Sequence, residues 1–454
     1  MNARENISVT LADKQLQTAI YSATARLANG RKAAVAAEVL PAYQELRQHA
    51  HDLKKHVVDH LDFYLEQLEK NVEARGGKVI WAETGAEACD FIQNLAQERG
   101  AKLVVKSKSM VSEEIHLNQR LKHAGVEAVE TDLGEYIIQL AGETPYHIIA
   151  PALHKTREQV AAVFGENSDA TAEQLTAVAR ARLREKFLAA GIGITGANFL
   201  VADSGAIVIV ENEGNARLSS SAPPVHVAVA GIEKIIPRAQ DLAVFLKLLV
   251  RSATGQSLSV YTSLLAGPRR EGEPDGPEKF YLVLLDNGRT RILAEESKRQ
   301  TLYCIRCGAC LNACPVYRKI GGYSYPGVYS GPIGKILTPQ LLGQDRDPWL
   351  PFASSLCGAC GEVCPVKIEI PRILLELRRE IAEAQPKPGE SAAFRIFSWV
   401  MRHPRVYEQF RWVRRMKKIP AAGPLKAWLS QRDLPPLPGR SFREQWRERN
   451  RHEK

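Results

Sequence analysis

Seven of the eight cysteines fall within the 61 residues from Cys304 to Cys364, in two runs. The first, CIRCGACLNACP, sets Cys304, Cys307, Cys310 and Cys314 at spacings of two, two and three residues and closes on Pro315. Three thiolates so spaced wrap three corners of an iron-sulfur cube, and the fourth is carried toward a second one. The second run, LCGACGEVCPV, holds Cys357, Cys360 and Cys364 before Pro365, with Ser354 where a first cysteine would stand. Crosswise ligation then gives Cys304, Cys307, Cys310 and Cys364 to one cluster and Cys314, Cys357 and Cys360 to the other. The second cluster is one thiolate short. It is a three-iron form, or Ser354, water or a substrate group supplies the last ligand, or a partner subunit does. A structural zinc ion prefers two well-separated cysteine pairs around one tetrahedron, which seven cysteines in two CxxCxxxCP runs fit poorly. Two iron-sulfur clusters in one short segment point to electron transfer rather than to a structural staple. Cys89, on a helical pattern beside Ala86 and Ile92, reads as a small buried hydrophobe.

The chain around these runs has 454 residues, 45% of them hydrophobic, enough for two or three packed units. No stretch approaches the roughly 20 apolar residues of a membrane span. The start, MNARENISVT, has no signal core, so a cytoplasmic protein is expected. The net charge of +10 comes from the end of the chain: from Gln385 onward there are 17 Lys and Arg against six Asp and Glu. No nucleic-acid recognition motif accompanies that charge, so nucleic acid is not an expected partner.

Residues 1–75 carry apolar positions at helical spacing and form a helical lead-in. From Gly76 short β-rich runs (KVIWA, KLVVKS, VEAVETD, YHIIAPA) alternate with helical ones, the rhythm of a parallel sheet with covering helices. This α/β domain spans 76–298. Within it FLVA, AIVIV and VHVAVA are separated by the turn Asp203–Gly205, by ENEG and by a loop, SSSAPP. Residues 299–384 are the mostly helical dicluster segment, and 385–454 a basic tail. In the tail Val406, Phe410 and Val413 share a helical face, with Arg405, Arg414, Arg415, Lys417 and Lys418 largely elsewhere, and Pro404 splits the helix. Such a face suits a membrane surface or an acidic partner, or packing on its own protein.

The runs KSKSMVSEEIHLNQRL and ANFLVADSGAIVIVENEGNARLSSSAPPVHVAVAGIEKIIP resemble the lactate-utilisation (LUD) domain, and SSLCGACGEVCPVKIEIP resembles the iron-sulfur half of the lactate-utilisation protein B family. The resemblance covers residues from about 70 to 430. It implies a subunit with two 4Fe-4S clusters in a three-protein L-lactate oxidation system, beside a cysteine-rich subunit and a separate LUD subunit. Members of the family also lack the eighth cysteine. The LUD domain is similar in fold to ribose-phosphate isomerases and CoA transferases, whose nucleophilic glutamate lies in a Glu-Asn-Gly-like turn; Glu211, Asn212, Glu213 and Gly214 stand in a comparable place. Glu211 and Glu213 are therefore the candidate catalytic carboxylates, although acidic residues before a glycine are ordinarily turn formers.

Lys106, Lys108, Glu113 and Glu114 follow a strand and open a helix where parallel-sheet ligands bind; a solvated charged helix start is the plainer expectation. His147, His154 and His226 lie in or beside apolar runs and read as packed, hydrogen-bonded histidines. No GxGxxG follows a strand. One-electron clusters without a hydride acceptor make this part of a lactate dehydrogenase rather than a complete enzyme. The alternative is isomerase- or transferase-like chemistry in the LUD domain, with clusters that sense redox state.

Overall fold

The computed structural model describes residues 3–386, 388–409, 429 and 439–452. Four helices open the chain: Ala3–Ala12, Lys14–Ala34, Tyr43–Asp59 and Leu61–Glu73. The last buries Leu61, Leu65, Leu68 and Val72, one stripe at three- and four-residue spacing. That stripe packs on Phe280, Leu282 and Leu284 of the central sheet.

Among the described residues ten strands follow: β1 Lys78–Ala82, β2 Leu103–Lys106, β3 Glu127–Glu130, β4 Ile192–Thr195, β5 Phe199–Val201, β6 Ala206–Glu211, β7 Val225–Gly231, β8 Ile235–Ile236, β9 Tyr261–Leu265 and β10 Lys279–Leu285. Six of them form a sheet in the order β1-β10-β7-β4-β2-β3, parallel throughout. Helices cover both faces, so inner strands need apolar side chains on both. Every residue of β4 and β7 is accordingly buried. The polar intruder in β7, His226, meets Thr195 Oγ1 at 2.8 Å, which satisfies both groups inside the sheet. A second sheet, β8-β5-β6-β9, is mixed, and β5 turns back into β6 through Asp203–Gly205.

Two local expectations fail for identifiable reasons. YHIIAPA is not a strand. The His147 ring accepts hydrogen bonds from the amides of Ile149 and Ala150, folding Tyr146–Ala152 into turns. The SSSAPP loop is also not all loop, because Asn215–Ser221 is helical. Gly214, at φ 85°, turns the chain out of β6, and both Glu211 carboxylate oxygens accept first-turn amides, from Ala216 and Arg217 at 2.8 Å. That capping outweighs the weak helix propensity of serine. The Ser220 and Ser221 hydroxyls bond back to Arg217 O, so they do not cradle an anion.

The cysteine segment has only helices and turns among the described residues: Ala309–Ala313, Tyr317–Ile320, Gly331–Leu342, Ala359–Glu362 and Ile370–Ala384. It shares one core with the helix Tyr43–Asp59 and with β5 and β6. Residues 1–381 make one compact unit and 382–454 another. In the second unit the helix Pro388–Arg402 ends before Pro404, and Pro404–Gln409 and Phe442–His452 are separate helices joined by Arg447 to Glu408 at 2.9 Å. Phe410, Val413, Arg414, Arg415, Lys417 and Lys418 lie outside the described residues. Among the described residues no helix is long and apolar enough to cross a membrane.

Close approach of the helix Asn215–Ser221 to β4 depends on Gly193, where an added Cβ would stand 1.6 Å from Ser219 O. Backbone cannot yield as a side chain does. Gly193→Ala is expected to destabilise by about 3 kcal/mol or more, whereas Gly100→Ala, with open space but a left-handed backbone, should cost about 1 kcal/mol. Thermal unfolding of the two variants checks the ranking.

Candidate metal centre and adjoining cleft

The two cysteine loops share a backbone course. Arg306 (φ 60°) and Gly308 (φ 72°) flank Cys307, and Leu356 (φ 53°) and Gly358 (φ 86°) flank Cys357. Left-handed residues in such a turn aim successive amides at one concave side, a setting for anionic sulfur. Arg306 N donates to Cys304 Sγ at 3.4 Å, and at the matching place Leu356 N donates to Ser354 Oγ at 3.2 Å. Ser354 occupies in the second loop the position that Cys304 has in the first.

Cys304, Cys307, Cys310 and Cys364 line one small cavity, so residues of both runs meet there. Burial pushes the Cys307 and Cys310 thiols well up and the Cys364 thiol to about 11, with neighbouring thiolates adding to the shift. Buried sulfurs gathered in this way become thiolates together only around a cationic core, so the donor set fits a metal cluster. Cys360 is buried and senses Cys314 and Cys357; burial raises its thiol to about 11. Cys357 is exposed, and its thiol is lowered, chiefly by the amide of Ala359. Beside this trio the buried Lys335 reaches Cys314 Sγ at 3.8 Å. The opening helices hold the second loop from behind: Arg47 donates to Cys364 O at 2.9 and 2.7 Å, and Arg31 to Val363 O at 3.1 Å. Cys89 lies elsewhere, its thiol directed at Ile115 O.

A cleft of about 290 Å³ opens at the carboxyl ends of β2 and β4. The chain leaves β2 toward β3 on one side and β4 toward β7 on the other, which makes this a topological switch point of a parallel sheet. Lys108, Ser109, Asn198, Asp132, Glu211, Glu213, Lys234 and Arg306 line the cleft. Glu213, exposed at the rim, accepts the Leu133 amide at 3.0 Å. Desolvation and then the Asp132 charge push its carboxyl up to about 7, a shift that its exposure to solvent moderates. Both oxygens of Glu211 are taken up by its helix cap. Lys108 Nζ donates to Ile149 O at 2.8 Å.

Beneath the cleft Lys106 and the Glu114 side chain, expected at a solvated helix start, are buried, and Glu113 is half-buried. Lys106 pairs with Glu113 at 2.8 Å and Glu130 at 2.7 Å. Burial alone would lower its ammonium, but Glu130, Glu113 and Glu135 raise it instead. Glu113, Glu130 and Glu135 bring carboxylate oxygens within 4.8 Å of one another, and Lys106 is the cation among them. Glu114 belongs to a second network. Arg289 grips it bidentately at 2.9 Å, holds Glu233 at 2.6 Å, and Tyr329 donates to Glu114 at 2.5 Å. The other Glu233 oxygen faces Arg306 at 3.3 Å. Burial would raise Glu233, but Arg289, Arg306 and Lys234 hold it down at about 2. Lys234 is lowered to about 7 by burial and then by Arg306.

His147, His154 and His226 have partners in Asn312, Glu143 and Thr195, and none lines the cleft. Sequence reasoning passed over Arg306, Glu233, Lys234, Arg289 and Lys335. For Glu233, Lys234 and Lys335 the available signal is a charge inside the apolar runs GIEKII and GPIGKILTP, since such groups are rarely buried without a partner.

Three family models match successive parts of the chain. Residues 65–285 match the LUD domain, 300–368 a 4Fe-4S dicluster domain, and 377–451 the model described as lactate utilisation protein B, C-terminal. The lactate utilization protein B of Bacillus velezensis is 44% identical over 466 residues, 99% of this chain and 97% of its own length. That of Bacillus subtilis strain 168 is 44% identical over 469 residues, with the same coverage. That of Bacillus thuringiensis is 45% identical over 459 residues, 96% of this chain and 95% of its own.

Removing Arg289 leaves Glu114 and Glu233 buried without their common partner. Arg289→Met should therefore cost about 3–5 kcal/mol, measured as a loss of thermal stability, while the exposed pair Lys186–Glu127 should contribute less than about 1 kcal/mol when broken by Lys186→Met.

Proposed function

Because the chain belongs to the lactate utilization protein B family and carries a 4Fe-4S dicluster domain, we propose that it is the iron-sulfur electron-transfer subunit of a complex that oxidises L-lactate to pyruvate. The observation that carries this reading is the cavity lined by Cys304, Cys307, Cys310 and Cys364, cysteines of two separate runs, beside a switch-point cleft. When bound, iron-sulfur clusters supply one-electron transfer.

In this reading Cys304, Cys307, Cys310 and Cys364 hold the first cluster, and Cys314, Cys357 and Cys360 the second. The position of Ser354, matched to Cys304, supports its hydroxyl as the fourth donor of the second site. Lys335, a buried cation beside Cys314, offsets thiolate charge there. Exposed Cys357 puts the second site at the surface, within reach of a partner. The partners are a cysteine-rich subunit and a separate LUD subunit, and the basic tail gives contact with an acidic partner or the membrane surface in a cytoplasmic complex. The segments 1–75, 76–298, 299–384 and 385–454 are its working parts, the second on an isomerase- and CoA-transferase-like frame. A second reading, catalysis by the LUD domain itself, draws on Glu213, whose raised carboxyl lines the cleft.

Crosswise holding makes a specific demand on spectra. Cys314→Ser should damage the cluster of Cys357 and Cys360, and Cys364→Ser the one of Cys304, Cys307 and Cys310, each followed by electron paramagnetic resonance of the reduced protein. Ser354→Ala should lower iron from about eight to about seven per chain; an unchanged iron count and spectrum would remove the serine from the ligand set.

At the level of the cell, loss of this protein should abolish growth on L-lactate but not on pyruvate, and Cys307→Ser or Cys360→Ser should do the same. Normal growth of cluster variants that still accumulate folded protein, together with failure of Glu213→Gln, would transfer the chemistry to the LUD domain.

A further inference from the structure

Lys335 is a buried ammonium without a carboxylate. It belongs to the helix Gly331–Leu342, in a stretch from Gly331 to Pro339 that is buried throughout, and it is sealed from solvent. Among the described residues its contacts are the Cys314 sulfur at 3.8 Å and the Tyr325 ring, whose centroid lies 5.6 Å away. Other buried lysines are served differently. Lys106 meets Glu113 and Glu130, Lys298 meets Glu380, and Lys54 meets the carbonyls of Glu233 and Ile235. A charge taken out of water is costly unless an opposite charge offsets it. Burial lowers this ammonium, and the negative sulfurs of Cys314 and Cys360 oppose that.

The helix cannot easily carry the group elsewhere. An added Cβ on Gly331 would stand 2.5 Å from Leu311 Cγ, and one on Gly334 would stand 1.9 Å from Tyr329 O. Two glycines thus let the helix seat against Leu311, which lies between Cys310 and Cys314, closer than larger residues would allow. Tyr325 presents its ring face, the attractive side for a cation. The ammonium is thereby fixed at Cys314, the sulfur that crosswise ligation gives to the second site, while Cys357 of the same site is exposed.

An iron-sulfur site changes by one electron, and its potential follows the surrounding charge and the hydrogen bonds to its sulfurs. A fixed cation favours the reduced, more negative form over the oxidised one. We propose that Lys335 is the residue that tunes the second site, raising its reduction potential so that an electron is better held where Cys357 meets solvent. It touches a ligand sulfur and no reactant, so its role is in positioning charge. This rests on the electron-transfer reading and adds to it the group that sets the electron affinity of one site.

The experiment is a redox titration of the full chain, purified anaerobically with its clusters, followed by electron paramagnetic resonance. The signal lost in Cys314→Ser marks the second cluster. In Lys335→Met and Lys335→Gln, both neutral but unlike in polarity, that cluster should be harder to reduce by roughly tenfold or more in its equilibrium constant, about 59 mV per tenfold for one electron. The first cluster should move less, and iron content should stay at the wild-type value. Lys335→Arg, which keeps the charge, should recover most of the potential, and the shift in Lys335→Met should persist at high salt, since buried charges are little screened. An unmoved second cluster in an iron-replete neutral variant overturns the proposal, as does an equal shift of both clusters. Loss of iron in both neutral variants also overturns it, because Lys335 would then hold the cluster rather than tune it. Reducible clusters with unmoved potentials would leave the electron-transfer reading standing, whereas a wild-type chain without a reducible cluster would remove that reading and this one together.

Discussion

The buried ionic knot around Arg289 is the constraint on which the rest of the unit depends. Glu114 comes from the helix after β2 and Glu233 from the turn after β7, and the Arg289 guanidinium joins them, while Tyr329 and Arg306 of the cysteine segment meet Glu114 and Glu233 in turn. Charges this deeply buried are tolerated only when each is paired and hydrogen-bonded. The knot therefore fixes the sheet and the cysteine loop in one relative position, since any sliding would leave a charge exposed to an apolar interior. That coupling explains why the α/β and cysteine-rich parts of the sequence form one compact unit with a shared core.

A second consequence concerns the opening helices. A cysteine loop that turns through left-handed residues leaves carbonyls facing outward without ladder partners. Arg31, His51 and Arg47 of the opening helices meet Val363 O, Val366 O and Cys364 O. Lys54 does the same for Glu233 O and Ile235 O below the sheet. These helices are thus the rear wall of the cysteine site, made of polar groups that a surface helix would otherwise extend into water.

The cleft shows how a parallel sheet and a cysteine loop come to share a wall. Strand ends at the switch point diverge and leave a crevice, and the knot brings the Arg306 loop across its floor. Glu211 has a different place from the one its sequence context suggested: both its oxygens cap a helix, while Glu213 two residues on reaches the rim. Neighbouring carboxylates in one ENEG turn divide into a structural and an exposed role according to which amides lie within reach.

Cysteine spacing, hydrophobic periodicity and the charge of the tail are local properties, and these the sequence by itself determined: seven sulfurs in two loops, a parallel α/β body and a helical opening. Ser354 was legible for the same reason, since a missing cysteine is visible from the spacing alone. The turn at YHIIAPA was not, because the His147 ring that folds it also needs Asn312 to hold it in place. Nor was the burial of Lys106 and Glu114, whose partners lie on other elements. Arg306, Lys234, Glu233 and Arg289 acquire their roles only where three distant segments meet. A charge in an apolar run announces that a partner exists, but Coulomb energy depends on distance in space, and only the folded chain sets that distance.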